Sequence, residues 1–150
     1  MLLANLFCVM VINAQVSDAN YVVDYSQAQI CGYDEETFAE IERDWNSDKP
    51  DITDGIIQGM LKQLGSFIPF KKNSYNTIIV LVRSISNRGA FNCDIALRDE
   101  KGTILAQATN VNCLKGAAIG TKLRLMKASS EKEGKNLGRA LKIAYKRVLR

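Results

Sequence analysis

The stretch from Tyr75 to Val111 constrains the fold of this chain more than any other. It holds three runs typical of strands, Y-N-T-I-I-V-L-V-R-S-I-S, A-F-N-C-D-I-A-L-R and T-I-L-A-Q-A-T-N-V, the last two joined by a D-E-K-G turn. Ile78 to Val82 is apolar at every position, which is typical of an inner strand covered on both sides. Phe91 to Arg98 alternates, so we expect one packed and one wet face. The pattern predicts a three-strand antiparallel meander.

Two helices are predicted between a first strand at Tyr21 to Gln27 and the meander. Asp34 is a good N-cap for the first, which is expected to end near Asn46 and to carry one apolar stripe of Phe38, Ile41 and Trp45. N-S-D-K-P is a turn by composition, because Pro50 cannot continue a helix. Asp51 would then cap the second helix, with Gly65 as its C-terminal stop. Its apolar face is formed by Ile52, Ile56, Met60 and Leu64.

A long helix is predicted at the C-terminus. From Leu123 to Val148 apolar and small residues recur at three- and four-residue steps. The helix is expected to begin between Thr121 and Ser130, although T-K-L-R-L, within residues 119–127, also fits a short strand. Gly134 and Gly138 lie on the predicted buried face, which indicates close packing against something flat, such as the sheet.

These elements predict one α+β domain over residues 15–150. Its mostly antiparallel sheet would have about four strands, the first strand followed by the meander. Two short helices and one long C-terminal helix would pack on that sheet. Whether the strand Thr103 to Val111 is a free edge or is closed by residues near Leu123 stays open.

The first fourteen residues, M-L-L-A-N-L-F-C-V-M-V-I-N-A, carry no charge. Such a run is shorter than the roughly 20 residues that a membrane-spanning helix needs. It resembles the apolar region of a signal peptide, with Ala14 as the small residue before the cleavage site, although the usual Lys or Arg at the start is missing. We therefore predict export to the periplasm or the medium after cleavage near Ala14. A buried first element of a cytoplasmic protein is the alternative, and Met1 need not be the true initiator.

Cleavage would leave three cysteines, Cys31, Cys93 and Cys113, which cannot all pair within one chain. With Arg98 opposite Thr103, Cys93 falls opposite Ala108 and Cys113 opposite Arg88. The two sulfurs would then be about five residues out of register, beyond disulfide reach. Buried thiols are favoured, and a bridge from Cys31 to either of the others is the alternative.

Charge is distributed unevenly along the chain. Residues 15–54 hold eleven acids against two bases, whereas the last nineteen residues hold seven bases. The basic C-terminal helix is the candidate contact surface, through Lys135, Arg139, Lys142, Lys146 and Arg147. A solvated outer face and a dock against the acidic first helix are the alternatives. The favoured partner is another protein of unknown identity. An anionic membrane surface is the second candidate, and nucleic acid is less favoured.

Catalytic motifs are missing from the sequence. The chain has no histidine, the usual general base and the commonest metal ligand. It has no G-x-S-x-G, Walker A or C-x-x-C pattern either. Glu36, Glu40 and Asp44 step along one helix face, which is a ladder rather than the converging oxygens of a calcium site. We predict no catalytic, metal or cofactor site and a non-enzymatic protein. A hydrolase using Cys93, Cys113 or paired carboxylates is the least favoured alternative.

Five blocks carry a resemblance to a known group: V-D-Y-S-Q-A-Q-I-C-G, E-R-D-W-N-S-D-K-P, D-E-K-G, G-T-K-L-R-L-M-K and E-G-K-N-L-G-R-A-L-K. In these the chain resembles a group of small exported bacterial proteins of unknown function, which implies export but no activity. More loosely, the order of elements is similar to small α+β envelope domains of the curli-secretion lipoprotein and TolB amino-terminal type. No lipobox precedes Cys8, a departure from the lipoprotein members.

Overall fold

The computed structural model describes residues 15–113 and 119–149. The strands are β1 (Asn20–Asp24), β2 (Gln29–Ile30), β3 (Thr77–Ile85), β4 (Phe91–Arg98) and β5 (Ile104–Cys113). The helices are α1 (Glu35–Ile41), α2 (Trp45–Leu64) and α3 (Lys122–Leu149). This confirms the predicted α+β class and the long C-terminal helix. Within T-K-L-R-L, Lys122 to Leu125 belong to that helix and Thr121 precedes it. The predicted signal segment lies outside the described residues.

The sheet has the order β1-β3-β4-β5, and the short β2 also pairs with β3. β3, β4 and β5 form the predicted antiparallel meander. β1 runs parallel to β3, so the sheet is mixed and has five strands instead of about four. The parallel pair follows from the connection, because α1 and α2 lie between β1 and β3 and carry the chain back across the sheet.

Helix α2 corrects the prediction of a turn at N-S-D-K-P. It begins at Trp45, six residues before the expected Asp51 cap, and includes Pro50 in its second turn. Trp45 is fully buried, with ring centroids 5.4 Å from Phe38 and 5.8 Å from Tyr25. We infer that burial of this indole outweighs the backbone hydrogen bond that Pro50 cannot make. Ile52, Ile56, Met60 and Leu64 are fully buried, as predicted.

Helix α1 is correspondingly shorter than predicted. Asp34 is its N-cap, and the Asp34 Oδ1 accepts the Thr37 N–H at 2.8 Å. The helix ends at Ile41, whose side chain is 52% exposed, so the stripe predicted from Phe38 through Ile41 to Trp45 was wrong. The first strand is also shorter than predicted, since β1 ends at Asp24 and not at Gln27.

The helices cover one face of the sheet. Ile78, Val80 and Val82 of β3 are buried, whereas Ile79 and Leu81 between them are only half-buried. The expectation that this strand is covered on both faces was therefore wrong, although β3 does lie between β1 and β4 as an inner strand. Among the described residues no helix is both long and apolar enough to cross a bilayer.

Strand β5 lies at the edge of the sheet, and no strand in the described part of the chain pairs with its outer side. Two bulges interrupt its pairing with β4. At one of them, Asn110 has φ +52° and donates its N–H to the Asp94 Oδ1 at 2.9 Å. These bulges place Cys93 opposite Val111 and Cys113 opposite Phe91, which corrects the predicted partners Ala108 and Arg88. The two cysteines are thus diagonal neighbours on the buried face.

Candidate contact surface on helix α3

Residues 122–127 at the start of α3 are joined by ion pairs to acids of residues 15–54, which we call the acidic segment. Lys122 Nζ lies 3.5 Å from a Glu42 carboxylate oxygen, and Lys127 Nζ lies 2.7 Å from Asp48 Oδ1. Glu131 pairs with Lys62 of α2. Acids of the same chain therefore pair with two of the three cations at positions 122–127, and Arg124 is exposed without an ion pair to a described residue. Each pair is partly exposed, so solvent screens it and its contribution to stability is small.

The rest of α3, from Lys132 onwards, carries cations without such partners. Lys132, Lys135, Arg139, Lys142 and Lys146 follow at steps of three and four residues, which places them in one row along the helix. With Arg147 they form what we call the basic face. No ion pair within 4 Å joins any of the six to another residue in the ranges 15–113 and 119–149. The four cations at 132, 139, 146 and 147 are exposed, and Lys135 and Lys142 are half-exposed.

The five contact residues predicted from the sequence all belong to this face. The structure brings Lys135, Arg139, Lys142 and Lys146 into one row and places Arg147 beside it. Lys146 Nζ also lies 5.6 Å from the centroid of the Phe67 ring, a cation–π contact that fixes one end of the face. The predicted dock against the acidic first helix is limited to Lys122, which pairs with Glu42 at the end of α1, and does not involve these residues.

The opposite side of α3 packs into the hydrophobic core. Leu137, Leu141 and Tyr145 are buried between α2 and the sheet. Gly134 and Gly138 pack against α2, not against the sheet as expected. A Cβ added to Gly138 would lie 3.2 Å from the Met60 carbonyl oxygen. Because the apolar stripe of α3 packs on the core, the side of the helix left accessible is mainly its charged side.

A buried acid lies under the sheet near this surface. Glu133 is fully buried, and no N–H or O–H group of the described residues hydrogen-bonds its carboxyl. Burial raises its pKa to about 8. The Cys93 thiol of β4 is beside it, and burial together with the Glu133 carboxyl raises the pKa of that thiol well above its usual value. Cys93 is therefore held as a thiol, the form that is not nucleophilic.

Sequence analysis missed Glu133 and the buried Ser129. The Ser129 hydroxyl lies 2.5 Å from the Gly89 carbonyl oxygen and joins α3 to the β3–β4 turn. The spacing of residues could have indicated the burial of Glu133, because it is three residues after Ser130 and four before Leu137, which are both buried. Glu36, Glu40 and Asp44 do not form the predicted ladder on one helix, because α1 ends at Ile41 and Asp44 is the N-cap of α2. No three His, Cys, Asp or Glu side chains of the described residues are placed to hold an ion.

Comparison with protein-family models, curated proteins and solved structures finds no match to this chain. The resemblance to small exported bacterial proteins therefore stays a prediction.

Proposed function

We propose that this protein is a non-enzymatic binding module and that the basic face of α3 binds an acidic surface of another protein. The observation that carries the proposal is the contrast between the start of α3, residues 122–127, and the rest of the helix from Lys132 onwards. Acidic side chains of the same chain pair with Lys122 and Lys127, whereas the six cations of the basic face have no such partner among the described residues. Complementary charge across an interface increases association rates and excludes wrong partners.

A photo-crosslinking amino acid at Arg139 tests the contact directly. We expect a covalent adduct with one acidic protein in the native cell, identified by mass spectrometry, and no such adduct from the same probe at Glu36. The triple substitution K135E/R139E/K142E is expected to abolish the adduct formed from a probe at Lys146. K71E/K72E/K101E changes net charge equally at exposed lysines elsewhere and should leave it unchanged. Equal loss with both triple variants would show a general charge effect and contradict the proposal.

An anionic membrane surface is the second candidate. The observation that favours it is Ile143, which is 49% exposed and lies next to the row of cations. Helices that bind in the membrane interface bury a whole apolar face, and that of α3 packs on the core, so we rank this candidate second. Binding to vesicles containing phosphatidylserine that weakens as salt rises, and is lost in K135E/R139E/K142E, would replace the first proposal with this one. The same salt titration with duplex DNA in place of the vesicles tests whether the basic face binds nucleic acid.

We also propose that the chain is exported and cleaved after Ala14. The support is the uncharged apolar run over Met1 to Ala14 and the small residue at its end. The intact mass of protein recovered from the periplasm or medium is expected to correspond to a chain starting at Gln15. Recovery in the cytoplasm with Met1 retained would contradict it.

A further inference from the structure

The central strand β3 is more apolar than its position in the described structure requires. Ile78, Val80 and Val82 pack under the helices, and Ile79 and Leu81 point to the other face of the sheet. No helix of the described residues covers that face. A strand that is apolar on both faces is typical of a sheet covered on both sides. This pattern suggests that something from outside the described chain covers the open face.

The neighbouring strands extend this apolar area. Val22 of β1 and Ala96 of β4 are the register partners of Ile79, so the three side chains form a row across the sheet. Leu81 lies in the next row, two residues along β3. We call Val22, Ile79, Leu81 and Ala96 the open-face patch. All four are half-buried, and three of them, Ile79, Leu81 and Ala96, line a shallow depression of about 250 Å³.

Charges flank the patch with opposite sign at its two ends. Arg98 lies two residues beyond Ala96 along β4 and is exposed. At the other end, Asp24 and Asp94 are the register partners of Leu81. Arg83 Nη2 lies 2.7 Å from Asp94 Oδ2, whereas Asp24 makes no ion pair with a residue in the described ranges. The patch therefore has a positive end at Arg98, an apolar centre, and an acidic end whose net negative charge comes from Asp24, because Arg83 offsets Asp94.

A surface of this kind is complementary to itself. When a second copy is turned end for end and placed face to face, each Arg98 meets the acidic end of the other copy, and the apolar rows meet in the middle. Most homo-oligomers are twofold dimers in which the same patch serves both copies. Sheets that pack face to face lie about 10 Å apart, with their inner side chains in contact.

We propose that two copies of this protein form a twofold-symmetric dimer through the open-face patch, with Ile79 near the twofold axis. The dimer covers the second face of β3 and leaves the basic face of each α3 exposed, since α3 packs on the opposite side of the sheet. The interface is separate from the surface proposed above for an acidic partner.

Sedimentation equilibrium of the purified protein is the first test. We expect a dimer at tens of micromolar, and we expect L81E and A96E each to raise the dissociation constant at least about 100-fold. I41E and I143E place the same charge on exposed apolar side chains of α1 and α3 and should leave it unchanged. Circular dichroism shows whether each variant is folded. A wild-type monomer at every concentration, or a dimer that the folded sheet variants leave intact, would overturn the proposal.

Cross-linking tests the position of the axis without depending on a destabilising variant. In a background with C8S and C31S, I79C is expected to form a disulfide-linked dimer under mild oxidation, because a residue on a twofold axis faces its own copy. I143C is the matched control at another partly exposed isoleucine and should stay monomeric. Equal cross-linking of the two variants, or none for I79C, would contradict a dimer through this face.

Discussion

Gly134 on α3 lies so close to Gly59 on α2 that a Cβ added to Gly134 would be 3.0 Å from the Gly59 Cα. The same Cβ would be 2.0 Å from the Ile56 carbonyl oxygen, and one added to Gly59 would be 2.1 Å from the Glu131 carbonyl oxygen. Both helices thus have glycine at their point of contact, and backbone packs directly on backbone. This contact sets the distance between α2 and α3 and therefore the position of the basic face.

We predict that G134A destabilises the protein by at least about 2 kcal/mol, because the new methyl group overlaps main-chain atoms that cannot move without separating the helices. The melting temperature should fall by roughly 5–10 °C. G120A is the matched control, since its nearest neighbour is the flexible Arg124 side chain, with Cδ at 3.2 Å. A smaller loss for G134A than for G120A would show that the helices are not in this contact.

Because Glu133 is buried, we predict that the stability of the protein falls as pH rises from about 4.5 to 8. Its pKa is about 8 in the folded protein and near 4.5 when exposed, so unfolding releases a proton between these values. The free energy of unfolding should therefore fall as pH rises from about 4.5 to 8, by up to about 1.4 kcal/mol per pH unit. Below pH 4.5 the carboxyl is protonated in both states, and this destabilisation disappears.

The substitution E133Q removes the titration and keeps the shape of the side chain. The difference in melting temperature between E133Q and the wild type should grow in favour of E133Q from pH 5 to pH 8. E36Q, which changes an exposed acid of α1, should follow the wild type. Parallel curves for E133Q and the wild type would mean that Glu133 is not held in a dry environment.

The pattern of apolar residues predicted correctly those elements whose buried side chains recur with the period of the helix or strand. The meander, the apolar face of α2 and the period of α3 are of this kind, since the same side chains that define the period also fill the core. The prediction that the glycines of α3 pack on the sheet was wrong, because they pack on α2. Gly134 and Gly138 indicate a close approach but do not say to which element. Gly59 of α2, which contacts Gly134, has no feature in the sequence that marks it as a helix contact.

The other errors have a common cause in contacts distant along the chain. Pro50 indicates a helix end by local rules, yet the packing of Trp45 on Phe38 and Tyr25 carries α2 through it. The bulges of β5 depend on a contact between Asp94 and Asn110, which local pattern does not encode. The sequence identified the cations of the basic face. That they lack ion pairs could not be predicted from it, because this depends on where the fold places the acidic side chains of α1 and α2.

Pro50 offers a test of the interpretation of α2. P50A supplies an N–H that can donate to the Asn46 carbonyl, as in a regular helix, and should stabilise the protein by about 1–2 kcal/mol. P69A is the comparison: Pro69 lies in the loop after α2, so its replacement only adds freedom to the unfolded chain and should destabilise slightly. Thermal melts of the two variants are expected to shift in opposite directions. A destabilising P50A would show that the proline is needed to start the helix.

The cysteines can be distinguished by their accessibility. Cys31 is half-buried, Cys93 is fully buried, and neither bridge that the sequence left open is formed in the structure. Brief alkylation of the native protein with iodoacetamide, followed by mass spectrometry of peptides, should modify Cys31 well before Cys93. The Cys31 reaction should itself be slow at pH 7, because burial raises the pKa of its thiol. In denaturant both residues should react at the same rate. Equal rates in the native protein would contradict the burial of Cys93 beside Glu133, and a resistant Cys31 in denaturant would indicate a disulfide.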